Sequence, residues 1–157
     1  MPTAHVNIGS NLGNSRSLIE QAVAGISVLC GGNLRRSQFI ESEPWGYAST
    51  NRFVNIGVEF DTTHPPRELL SRLLKIQNSI SDASHRTPQG GYADRLIDID
   101  LIYYGDITVS TPALTLPHPR LHLRDFVLIP LSELAPHWRH PQLHLTPAQM
   151  LALLQTT

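Results

Sequence analysis

Apolar residues recur at two spacings along this chain, alternating over short stretches and at helical intervals over longer ones. His5-Val6-Asn7-Ile8 alternates and stops at Gly9-Ser10-Asn11-Leu12-Gly13-Asn14, which predicts a short strand followed by a turn. From about Ser15 a helix is predicted, with Leu18, Ile19, Ala22, Ile26 and Leu29 on one stripe. Ser17 and Glu20 have capping-box spacing, and Gly31-Gly32 can take the positive φ that ends a helix. Residues 34–40 predict a weakly patterned strand. Residues 53–60 predict a better one, with Val54, Ile56, Val58 and Phe60 on one face and Phe53, Asn55, Gly57 and Glu59 on the other. Thr63 and Pro65-Pro66 open a second helix carrying Leu69, Leu70, Leu73, Leu74 and Ile80. The polar residues 81–94, with Pro88 and Gly90-Gly91, predict a loop, and residues 95–104 a strand. Residues 125–131 are apolar enough for a short strand or helix. Thr146-Pro147-Ala148-Gln149 caps a last helix with Met150, Leu151 and Leu154.

The order strand, helix, strand, strand, helix, strand predicts an α+β fold. A ferredoxin-like antiparallel sheet with two helices packed on one face, a single-domain sandwich over residues 1–157, satisfies it. Fold alone does not assign function. With Lys+Arg 12 against Asp+Glu 13, the chain has no bulk basic field for nucleic acid or an anionic membrane, so neither is expected as a partner. Any cations that meet an anionic substrate must be gathered locally. Cys30 is the only cysteine, which excludes an internal disulfide and thiolate metal cages and reads as a small buried hydrophobe. Met1-Pro2-Thr3-Ala4-His5 lacks the regions of a signal peptide, and no apolar run reaches about 20 residues. A cytoplasmic location is expected.

The chemistry concentrates in Arg95-Leu96-Ile97-Asp98-Ile99-Asp100-Leu101-Ile102. Period two puts Asp98 and Asp100 on one face, with Cα atoms roughly 6.5–7 Å apart, while Ile97, Ile99 and Leu101 face the core. Two neighbouring carboxylates repel unless cations join them, and hard oxygen ligands favour magnesium. A solvated strand face bearing two acids is the alternative. Arg95, and Arg86 in the preceding loop, lie where triphosphate oxygens would need cations. His118 stands between Pro117 and Pro119 with Arg120, His122 and Arg124 nearby, a local excess of donors suited to phosphate. No H-E-x-x-H or comparable spacing occurs, and His137, His140 and His144 are scattered beside prolines, which argues against zinc. Trp45, Tyr47 and Phe53 lie near Asn55, either as the edge of the core or as a stacking slot whose amide reads a flat heterocycle. No Walker-type loop is present.

Taken in order, Ile8-Gly9-Ser10-Asn11-Leu12-Gly13, the segment 95–102 read as R-x-x-D-[LIV]-D, and Leu116-Pro117-His118 with Arg124-Asp125-Phe126 resemble the 6-hydroxymethyl-7,8-dihydropterin pyrophosphokinases of folate biosynthesis. The resemblance runs from about Val6 to Pro136. It implies a usually monomeric α+β enzyme that uses ATP and two magnesium ions to pyrophosphorylate 6-hydroxymethyl-7,8-dihydropterin. By that resemblance Asp98 and Asp100 bind the metals, and Arg86 and Arg95 act on the phosphates as catalytic residues. Leu101, Thr115, His118 and Arg124 complete the ATP site. Ser42, Pro44, Trp45, Phe53, Asn55, Tyr92 and Phe126 match the pterin pocket, with Phe53 and Phe126 on opposite sides of the ring.

The sequence departs from the family pattern at several positions. Gln77 replaces a common glutamate, and His85-Arg86-Thr87-Pro88 keeps one of two loop arginines. Tyr92-Ala93-Asp94 replaces tryptophan-glycine-proline, and Glu43 stands at a frequent proline. The rival functions are a two-metal nucleotidyltransferase, which would release pyrophosphate in place of AMP, and a non-catalytic ferredoxin-like ligand-binding module.

Overall fold

The structure is a computed structural model that describes residues 1–12, 14–42, 53–83 and 97–156, with main chain only at 42, 82 and 83. Strand β1 (Thr3–Ser10) leads through helix α1 (Ser15–Leu29) to β2 (Leu34–Arg36), β3 (Ile40–Ser42) and β4 (Phe53–Asp61). Helix α2 (Pro66–Ala83) precedes β5 (Asp98–Tyr104), a β6 (Val109–Ser110) and β7 (Thr115–Leu116) hairpin, and a 3-10 turn (Leu121–Leu123). Helices α3 (Asp125–Leu134) and α4 (Pro147–Gln155) close the chain.

The main sheet has the order β2-β4-β1-β5, with β3 also on β4, and every pairing is antiparallel. This is the ferredoxin-like arrangement. The weak strand expected over 34–40 is two short pieces, because Ser37 leaves the ladder and its Oγ accepts from Gly57 N at 2.8 Å. The predicted capping box is not the start of α1. The helix begins at Ser15 behind Asn14, and Glu20 is instead held by Arg36 through contacts of 2.7 and 2.8 Å. Gly31 and Gly32 do take positive φ beyond the half-buried C-cap residue Cys30. Helix α2 runs on through Ala83, three residues into the stretch expected as loop. The Thr146–Gln149 capping box of α4 forms as the sequence predicts.

One sheet face packs on α1 and α2. Ala4, Val6, Ile8, Val54, Ile56, Val58, Phe60, Ile99 and Leu101 from the strands meet Leu18, Ile19, Ile26, Leu69 and Leu73 from the helices, all buried. The tail forms a layer that the sequence leaves undefined. Residues 125–131 lie in α3, which covers part of the opposite face through a second core of Ile102, Tyr103, Leu121, Val127, Leu128 and Leu131.

A bulge in β5 makes this second core possible. His5 pairs with Tyr103 but Val6 with Leu101, so Ile102 is the extra residue and both Ile102 and Tyr103 turn toward α3. Below them the buried Glu59 joins four strands. His5 Nδ1 donates to it at 2.8 Å, Tyr103 Oη at 3.0 Å and Arg35 Nη2 at 3.3 Å. Burial raises the Glu59 carboxyl, but these donors outweigh it and hold the group below its ordinary range.

Helix α3 approaches so closely that a Cβ at Gly57 would lie 2.8 Å from Pro130 Cβ and 3.0 Å from His5 Cε1. A proline ring and a fully buried imidazole cannot yield as a flexible side chain would. Gly57→Ala is therefore expected to destabilise the protein by about 1–3 kcal/mol, the usual cost of overpacking, read by urea unfolding. An unchanged midpoint would contradict this packing.

Candidate active site

Three strands build the site on the face that α3 covers only in part. Their register sets residues in rows across the sheet. Asn55, Gly9 and Asp98 form one row; Gly57, Asn7 and Asp100 form the next; Glu59, His5 and Tyr103 form the third. The sequence thus places an amide and a carboxylate on either side of a glycine. With strands about 4.7–4.9 Å apart, Asn55 and Asp98 have Cα atoms about 10 Å apart, the scale of a bicyclic heterocycle with a substituent. Gly9 keeps that floor low. A Cβ there would lie 2.6 Å from Asn55 Oδ1.

Asp98 and Asp100 are half-buried, side by side on one face as the alternation predicts, and Ile97, Ile99 and Leu101 are buried on the other. Strand β5 is a sheet edge, and Gln77 of α2 secures it by accepting a hydrogen bond from Ile99 N at 2.9 Å. The amide at the position of a common glutamate therefore fixes the main chain between the two acids. Among the described residues no three His, Cys, Asp or Glu side chains converge into a metal cage. Two carboxylates side by side suit magnesium, which keeps waters and completes its octahedron with substrate phosphates.

A groove of about 330 Å³ runs beside the acids and gathers Asp98, Asp100, Leu101, Thr115 and His118, with Leu70, Leu74 and Leu114 as an apolar wall. Leu101 is 4% exposed and its side chain belongs to the first core, so little of it can reach a ligand. Thr115 is exposed on β7. His118 is held by its own N–H, which donates to Ile102 O at 2.7 Å, and by Arg120 N, which donates to His118 Nδ1 at 3.1 Å. With Nδ1 accepting, the neutral ring carries its proton on Nε2.

Burial pushes the His118 imidazole down to about 4; Arg124 and Arg120 lower it further and Asp98 opposes them. The His118 ring is therefore neutral near pH 7, with an N–H to donate at Nε2. Its folded value lies below the ordinary 6.5, so its share of stability is present above about pH 6.5 and is lost as pH falls toward about 4. Glutamine can present an N–H where Nε2 lies. If His118 holds ATP as the resemblance implies, His118→Gln should keep ATP affinity within about threefold while His118→Ala loses about tenfold, as titration calorimetry would measure. Equal losses would remove the donor role.

Of the remaining sequence candidates, Phe53 opens β4 half-buried, and Phe126 is half-buried in the first turn of α3 with the Arg124 guanidinium 5.7 Å from its ring centre. Asn55 is 3% exposed. Pro44, Trp45, Arg86, Tyr92 and Arg95 lie outside the described residues, as does the side chain of Ser42. Sequence reading missed Asn7, whose Nδ2 donates to Asn55 Oδ1 at 3.1 Å. The available signal was a polar residue at the pleat position shared with Gly9.

Residues 5–136 match the family described as 7,8-dihydro-6-hydroxymethylpterin-pyrophosphokinase. A Porphyromonas gingivalis 2-amino-4-hydroxy-6-hydroxymethyldihydropteridine pyrophosphokinase is 36% identical over 143 residues, 90% of this chain and 96% of the relative. The Aquifex aeolicus protein of the same name is 32% identical over 141 residues, 90% of this chain and 85% of its own length. Among solved structures, Plasmodium falciparum HPPK-DHPS superposes with a TM-score of 0.71 over 99% of this chain and 44% of that one; at 14% identity it bears on the fold alone.

Proposed function

The chain belongs to the 7,8-dihydro-6-hydroxymethylpterin-pyrophosphokinase family, and from that premise we propose how its residues carry out the family's reaction. That reaction transfers pyrophosphate from ATP to the hydroxymethyl group of the reduced pterin. The pterin hydroxyl oxygen bonds to the β-phosphorus and gives up its proton, the bond from that phosphorus to the α–β bridging oxygen breaks, and AMP leaves with the electron pair.

Family membership implies ATP and magnesium. Two magnesium ions, held by Asp98 and Asp100 and by the triphosphate, would neutralise the phosphate charge that builds as AMP departs. The protein's own share is binding and orientation. The groove beside β5 takes the nucleotide, with His118 Nε2–H, Thr115 and Arg124 directed at it and the Leu70–Leu114 wall excluding water. Arg86 and Arg95 complete the cation set. The pterin lies over Gly9 between Phe53 and Phe126, its edge on Asn55; the family resemblance assigns Ser42, Pro44, Trp45 and Tyr92 to the same ligand. Positioning and charge neutralisation suffice for such a transfer, and no covalent nucleophile is required.

What supports this reading is that Asn55, Gly9 and Asp98 occupy a single row across three strands, a spacing that would suit a heterocycle edge at one end and a metal-bound phosphate at the other. Among the described residues no helix is long and apolar enough to cross a membrane. We take the protein to act as a cytoplasmic monomer of one domain. Incubation with ATP, magnesium and 6-hydroxymethyl-7,8-dihydropterin, followed by chromatography of the nucleotides, tests the reaction. Pterin-dependent AMP that disappears with a chelator is expected. Pterin-dependent pyrophosphate release would point to nucleotidyl transfer, and folded protein without turnover to a binding module.

A further inference from the structure

The site contains one polar contact that the reaction as derived does not use. Asn7 and Asn55 are each 3% exposed and joined by Nδ2 of Asn7 donating to Oδ1 of Asn55 at 3.1 Å. Two atoms of this pair, Asn7 Oδ1 and Asn55 Nδ2, are buried with no partner among the described residues. Folded proteins rarely leave an acceptor and a donor unsatisfied in one buried pair, and a bound group that supplies both partners resolves it.

We propose that Asn7 is a specificity-determining residue: it locks the Asn55 amide so that the pair accepts the 2-amino-4-oxo edge of a pterin and rejects the inverted edge. The proposal rests on the reading that Asn55 addresses the pterin. A primary amide exchanges its donor and acceptor by half a turn, so a lone asparagine suits an edge and its inverse almost equally. Asn55 is not alone. Turning it by itself would set its NH2 group against that of Asn7, leaving two donors face to face. Its oxygen is also seated over Gly9, where even a Cβ would come within 2.6 Å. The edge polarity can be reversed only by turning both buried amides together.

The two ring classes differ in this polarity. In a 4-oxo pterin, the N3–H donor adjoins the C4 carbonyl acceptor. In a 2,4-diaminopteridine, N3 is the acceptor and the 4-amino group the donor. A locked amide pair distinguishes them because the wrong ring leaves buried groups unpaired, which is how hydrogen-bonding sites reach high selectivity.

The test titrates 6-hydroxymethylpterin and 6-hydroxymethyl-2,4-diaminopteridine by fluorescence against the full chain with magnesium and a non-hydrolysable ATP analogue. Wild type is expected to favour the 4-oxo ring by at least about tenfold. Asn7→Ala should shrink that ratio by about fivefold or more, with affinity for the ATP analogue unchanged. Asn7→Ser keeps a small polar group whose hydroxyl can donate or accept, so it should lose selectivity in the same way; it also serves if the alanine variant does not fold. Wild-type selectivity in the folded variants, or no preference in wild type, would overturn the proposal while the pterin reading stands. Failure of wild type to bind either pteridine would overturn the pterin reading and the proposal with it.

Discussion

Asp98→Asn and Asp100→Asn each lower the rate of AMP formation by at least about 10³-fold while the protein stays folded. The substitution keeps shape and removes charge. A single preorganised donor at a transition state contributes about 10²–10³ in rate, and a carboxylate that holds an ion against a triphosphate acts on more than one oxygen. The fold should tolerate either change because both side chains are half-buried and their apolar neighbours Ile97, Ile99 and Leu101 face the other core. Rapid-quench single-turnover assays measure the first effect. A folded variant that turns over within tenfold of wild type would remove these residues from the metal site.

Asn55→Ala separates the two substrates. Loss of a buried amide that addresses the heterocycle should weaken pterin binding by about 30- to 100-fold, and it also strands Asn7 Nδ2. The groove proposed for the nucleotide lies beside β5, on the far side of β1 from Asn55, so affinity for an ATP analogue should change by less than about threefold. Fluorescence titration for the pterin and calorimetry for the nucleotide give the two values. Equal losses would mean that Asn55 supports the whole face instead of reading a ring edge.

The acidic strand was legible because period-two alternation fixes which side chains share a face, and β5 obeys it through Leu101. Beyond that residue the bulge breaks the period, and strict alternation would have put Tyr103 in the wrong core. Helices α1 and α2 were legible from their stripes, although the apparent Ser17–Glu20 box was not a cap, since Glu20 finds Arg36 across the fold. The second layer was harder to read. Pro130 inside an apolar run makes residues 125–131 ambiguous in sequence, and only the packing of that proline over Gly57 shows why the outer face of β4 is buried too. Without α3, Asn7 and Glu59 look like solvent-facing polar residues. With it they are buried, and Asn7 becomes the neighbour that holds Asn55. Gln77 likewise read as a departure from a pattern until its bond to Ile99 N tied it to the aspartate strand.

We infer that Asp98 and Asp100 together hold the ions that meet the triphosphate. Counting manganese, as a magnesium substitute, bound in the presence of a non-hydrolysable ATP analogue tests it most directly, by electron paramagnetic resonance on wild type and on the Asp98→Asn/Asp100→Asn double variant. Two ions per bound nucleotide are expected for wild type, and for the double variant no more than the free nucleotide itself binds. Two ions retained by the double variant would contradict it.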